Sequence, residues 1–109
     1  MARPSRIDEC RLIVYIGDVI RSFRSKALRN LFNDDDGRGV RADLLDRVRA
    51  RLQALHRARG LDELNIPGWR LHRLQGKPVR HAIAVNGPWR ITFEWTADGP
   101  AVVDLEQYH

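Results

Sequence analysis

The sequence holds a single cysteine, Cys10. No disulfide can form within the chain, and a reducing compartment suits it. No apolar stretch approaches the length of a membrane span. The segment "CRLIVYIGDVI" is apolar, but it is short and lacks a small-residue cleavage pattern, so it does not read as a signal peptide. A cytoplasmic location is the default expectation. There is no internal repeat and no low-complexity segment. Lysine is scarce, because seventeen of the nineteen basic residues are arginine. That bias suits bidentate phosphate contacts, although genome composition can also produce it.

What is present fits one small globular domain. The chain has 109 residues, 43% hydrophobic and 30% charged, which excludes a disordered composition. The formal charge of +5 suits an anionic partner: nucleic acid, a membrane surface or an acidic protein. The excess is uneven. Residues 1–60 hold 14 Lys/Arg against 8 Asp/Glu, and residues 61–109 hold 5 against 6.

Periodicity sets the expected elements. Residues 11–23, "RLIVYIGDVIRSF", read as a strand-like run broken at Gly17-Asp18. Ser25 is placed to cap a short helix, "KALRNLF", that ends before the acidic turn "NDDDGRG". From Ala42 to Arg59 the pattern is helical. Leu44, Leu45, Val48, Leu52 and Leu55 share one face, Arg47, Arg49, Arg51 and Arg57 lie largely off it, and Gly60 is a natural stop. Pro67-Gly68 centres a turn. After Trp69 the period becomes two. "WRLHRL", "RHAIAV", "PWRITFEWT" and "AVVDLEQ" are strand candidates, with a hairpin signal at Asn86-Gly87. Helices followed by a meander predict an α+β domain, a small antiparallel sheet packed against two or three helices.

Alternation sorts the faces. Trp89, Ile91, Phe93 and Trp95 point one way, towards the helices, and Arg90, Thr92 and Glu94 point the other. Trp69 and Leu71 match the core side, which puts Arg70 and His72 on the open face with Arg90. The last strand runs beside them and brings Tyr108 and His109 to the same edge. A chain end normally has no use for two proton-transferring side chains.

The stretches "VIRSFRSKALRNLF", "ELNIPGWRLHRLQG", "WRITFEW" and the terminal "DLEQYH" resemble the HigB-type toxins of the RelE/ParE superfamily, from about Val19 to His109. The resemblance implies a ribosome-dependent mRNA endonuclease that cleaves in the A site without metal or other cofactor. It also implies a HigA-like helix-turn-helix antitoxin as partner, besides the ribosome and mRNA, and no membrane. The family's "LH" histidine corresponds to His72, its "WRI" arginine to Arg90, and its terminal aromatic–histidine pair to Tyr108 and His109. These four are the expected catalytic residues. Arg70, Arg73 and Lys77 are expected to contact RNA.

Three departures from the family pattern stand out. Gln75 replaces a lysine of the usual "HPLKG", a charge that Lys77 or Arg73 can supply. Gln107 replaces the aspartate of the usual Asp-Tyr-His ending, a role open to Glu106. Residues 1–18 precede the usual family start, and Val19 sits where an initiator methionine would be. They are expected to form a dispensable extension. The alternative is that "RLIVYI" forms a further strand, since its β-branched and aromatic content suits one.

Simpler readings exist for each residue. His72 can be an exposed strand residue, Arg90 a partner of Glu94 or Asp104, and Tyr108 and His109 a frayed end. The three tryptophans fall in phase with Leu, Ile or Phe and read as core. His56 complements a helix dipole. His81, in phase with Ile83 and Val85, is structural. Arg47 and Arg51 form a solvated face, with ribosomal RNA contact as the sharper possibility. The competing function is non-enzymatic: a ParE-like gyrase inhibitor or a degenerate toxin that only binds antitoxin.

Overall fold

The structure is a computed structural model and describes residues 19–108. Cys10, the segment "RLIVYI" and His109 lie outside the described residues. The first helix, α1, is Lys26–Asp34, and Ser25 caps it by accepting from the Leu28 N–H at 3.1 Å. It runs through Asn33 and Asp34, the start of the expected acidic turn, and ends on Asp35 in a left-handed conformation. A 3-10 turn, Ala42–Leu44, leads into α2, Leu45–Arg57. That helix stops before Gly60, because Ala58 is already extended.

Four strands follow in chain order: β1 His72–Arg73, β2 His81–Asn86, β3 Trp89–Thr96 and β4 Gly99–Gln107. They form one antiparallel meander in the order β1-β2-β3-β4. The expected α+β architecture is therefore the observed one. Pairing fixes the faces. Ile83, Ile91 and Leu105 form one row and His81 and Phe93 part of another, both on the core side. Against this side pack Leu28, Leu31, Leu44, Val48, Leu52 and Leu55 of the helical layer.

The first strand candidate shrinks to two residues. Trp69 still accepts from the Ala84 N–H at 2.6 Å, but Arg70 adopts φ 53° and breaks the ladder. The β2–β3 turn is centred on Gly87 and Pro88, one residue later than the Asn-Gly signal, since Asn86 pairs with Trp89. Gly87 takes φ 55°, which glycine adopts without a Cβ penalty. In β4 the register slips opposite Phe93, where Val102 takes φ 53°. This bulge lets residues 22–25 dock on β4. Val103 donates to the Ser22 carbonyl and accepts from Arg24 and Ser25, and Phe23 bridges to Val103. Of the expected N-terminal run, residues 19–23 are described, and besides this bridge Arg21 donates its N–H to the Pro100 carbonyl at 2.8 Å.

Two histidines differ in role. His81 is half-buried on the core side, and burial, then the charge of Arg73, pushes its pKa down. It is structural, as its phase implies. His56 does not complement the helix dipole as a cation. Its ring packs on Phe32 at 4.9 Å, its Nδ1 is buried without a partner, and burial, then the charge of Arg57, lowers its pKa.

Candidate active site

The open face of the sheet is organised by an arginine immediately before β2. Arg80 Nη1 donates to Glu106 Oε2 at 2.8 Å and to Thr92 Oγ1 at 3.3 Å, and Nη2 donates to the Tyr108 hydroxyl at 3.2 Å. Thr92, fully buried, also donates to Glu106. One guanidinium thus joins β3, β4 and the residue after β4. The room for it comes from small side chains, because Ala82 and Ala84 occupy the open-face positions of β2. The Glu106 contact holds the pKa of Arg80 up. Burial pushes the Glu106 carboxyl up, but the bonds from Thr92 and Arg80, with the charges of Arg80 and Arg24, outweigh it and keep it below the ordinary value. A carboxylate held ionised in this way is a weak base at neutral pH.

Tyr108 is fixed twice, by Arg80 and by donation of its N–H to the Pro88 carbonyl at 2.7 Å. Since its hydroxyl oxygen accepts from Arg80, the phenolic proton is free to be donated. His72 lies on the same face, in the row His72–Ala82–Thr92–Asp104. Two strand spacings separate it from Thr92, roughly 10 Å. Its Nδ1 lies 2.9 Å from the Arg70 carbonyl. A carbonyl only accepts, so Nδ1 carries the proton and Nε2 keeps its lone pair in the neutral ring. The left-handed φ of Arg70 accompanies this contact, a local strain of the kind often held at functional sites.

Arg90 shares the face, in the row Ala84–Arg90–Glu106. It pairs with neither Glu94 nor Asp104. Its Nη1 donates to the carbonyls of Gly87 at 2.6 Å and Trp89 at 2.9 Å, and Asp104 lies instead 3.8 Å from Arg24. Arg70 and Arg90 meet Arg47 and Arg51 in a cleft of about 520 Å³ at the hairpin end of the sheet. Arg51 is not simply a solvated helix residue. Its Nε donates to the Ala84 carbonyl at 2.7 Å, and its guanidinium lies over Trp69 at 4.6 Å.

The remaining expected residues separate. Arg73 pairs with His81, in the row of Phe93, and so lies across the sheet from His72. Lys77 and Gln75 are exposed in the β1–β2 loop. Gln107 is exposed and pairs with Trp89, away from the row of Arg90 and Glu106. Sequence reading missed Arg80 altogether. The usable signal was the Arg80-Ala82-Ala84 alternation: a long cation followed by two small residues on the open face.

The profile of the family described as RelE-like toxin of the type II toxin–antitoxin system HigB matches residues 21–109. The chain belongs to this HigB-like toxin family. It is also 37% identical over 92 residues to the Endoribonuclease HigB of Proteus vulgaris, an alignment that covers 84% of this chain and all of that protein. A toxin of a type II toxin–antitoxin system is paired with an antitoxin, so an antitoxin is a partner. No helix among the described residues is long and apolar enough to cross a membrane.

Proposed function

We propose that this toxin is a ribosome-dependent endoribonuclease that cleaves mRNA in the A site by attack of a 2′-hydroxyl on the adjacent phosphorus. The observation that carries it is the pairing of two oriented proton-transfer groups on one open face: His72 with Nε2 unencumbered, and Tyr108 with its hydroxyl held by Arg80. In this reading His72 Nε2 takes the 2′-hydroxyl proton. The 2′ oxygen–phosphorus bond forms, the phosphorus–5′ oxygen bond breaks, and Tyr108, assisted by the terminal His109, protonates the leaving oxygen. Arg90 offsets the charge that gathers on the phosphorane, and Arg80 holds Tyr108 in place. The products are a 2′,3′-cyclic phosphate and a 5′-hydroxyl. In this reading His72, Tyr108 and His109 carry both proton transfers, and no metal ion enters the step.

The name of the Proteus vulgaris relative supports the ribonuclease reading, and the family supports a HigA-like helix-turn-helix antitoxin. The active toxin is the stretch from Val19 to His109, with residues 1–18 dispensable. Purified protein should cleave mRNA on programmed ribosomes, in EDTA as well as without it, and hardly cut free RNA. His72→Ala should lose on the order of a hundredfold to ten-thousandfold in rate. A folded wild-type protein that binds its antitoxin but cuts no ribosome-bound mRNA would return it to the degenerate-toxin reading.

A further inference from the structure

The cleft at the hairpin end of the sheet is lined by Arg47, Arg51, Arg70 and Arg90, and no carboxylate lines it. Burial, and then the charge of Arg47, pushes the pKa of Arg51 down. Gathering four guanidinium groups around one concavity works against folding unless an anion fills it. Two of them are fixed in place. Arg51 is tied to Ala84 and Trp69, and Arg90 to two carbonyls, which leaves its Nε and Nη2 available. Arg47 and Arg70 are exposed, with their side chains in no hydrogen bond or ion pair among the described residues.

We infer that this cleft is a second phosphate site, taking the RNA backbone next to the scissile phosphate and reading no base. It rests on the ribonuclease reading, because Arg90 lines the cleft and also stands on the open face with His72 and Tyr108. Two observations favour a nucleic-acid backbone over an acidic peptide or a stacked base. The β2 edge cannot accept an added strand here, since the Ala84 N–H is taken by Trp69 and its carbonyl by Arg51. Trp69 cannot stack a base, since Arg51 covers it and the rest packs on the core. What remains on offer is planar guanidinium forks, which suit phosphate oxygens.

Binding of a short, uncleavable 2′-O-methyl oligoribonucleotide, followed by fluorescence anisotropy against salt concentration, tests this without requiring catalysis. Arg47→Ala/Arg70→Ala should weaken binding and flatten the log–log salt slope by about 1.4, roughly 0.7 for each single-strand phosphate no longer neutralised. Arg57→Ala/Arg59→Ala removes the same charge from exposed residues outside the cleft and should change the slope little. Uridine and adenosine oligomers should bind alike. Equal flattening in both double variants would overturn the site, as would a strong base preference that disappears with Arg47 and Arg70. A polyglutamate peptide that displaces the RNA at equal charge concentration would overturn its assignment to a nucleic-acid backbone. Failure of ribosome-dependent cleavage would count against the catalytic reading alone and leave this measurement intact.

Discussion

Arg80 and Arg51 are both part-buried arginines beside β2, yet they stand in opposite electrostatic states. Arg80 meets a carboxylate and a phenol, and its pKa is held up. Arg51 meets a carbonyl, an indole face and another arginine, and its pKa is pushed down. The paired cation positions its neighbours. The unpaired ones form a field for a ligand. Burial first and the charge of Arg47 second lower Arg51, whereas at Arg80 the hydrogen bond to Glu106 outweighs a smaller burial.

Breaking the paired side should have the largest effect. Arg80→Ala leaves Tyr108 without its donor and Glu106 without its counter-ion, and should lower the cleavage rate on ribosomes by about a hundredfold through misplacement of Tyr108. The accompanying drop in stability should be about 1–2 kcal/mol, read from chemical denaturation. Arg80→Lys should recover part of the stability but little of the rate, because a point charge cannot hold Glu106, Thr92 and Tyr108 together.

On the unpaired side, Arg51→Ala strips the edge carbonyl of Ala84 of its donor and uncovers Trp69. It should cost about 2 kcal/mol of stability. In a domain of this size that corresponds to roughly 8–16 °C in melting temperature.

Glu106→Gln sharpens the contrast by turning the paired arginine into an unpaired one. RNA affinity should rise a few-fold and the salt slope should steepen by about 0.7, as one more cation on the open face becomes available to phosphate. An unchanged slope would mean that Arg80 stays committed to Thr92 and Tyr108.

The smallest effect is acid lability. His56 has a folded pKa below its ordinary 6.5, so the unfolded chain binds more protons as the pH falls below that value. Stability is therefore present above about pH 6.5 and declines as the pH drops through the window towards the folded value. His81 adds in the same direction. Glu106, depressed below 4.5, adds a further decline at lower pH. His56→Phe should flatten thermal melts between pH 7 and 5 without touching the lower window.

Much of the fold was legible because it rests on short-range signals. The Ser25 cap, the Leu44–Leu55 stripe and the alternation in "PWRITFEWT" each depend on residues within a turn or a strand. The open-face placement of His72 and Arg90 followed from the same alternation. For Arg80 the alternation with Ala82 and Ala84 marks the face, but its partners need the register of three strands at once. Alternation likewise puts Arg73 across the sheet from His72, which the family resemblance alone did not weigh. Gly60 was a misleading marker for the helix end, because the extended Ala58 stops α2 without a glycine. The dipole role expected for His56 gave way to burial against Phe32.

The chemistry of the cut ends tests the central claim most directly. Attack by the neighbouring 2′-hydroxyl, with His72 as base and Tyr108 beside Arg80 as acid, predicts fragments from ribosome-bound mRNA that end in a 2′,3′-cyclic phosphate and begin with a 5′-hydroxyl. A single 2′-deoxy substitution at the nucleotide before the cut should abolish cleavage. Fragments carrying a 3′-hydroxyl and a 5′-phosphate, or cleavage that persists at the deoxy position, would contradict the account.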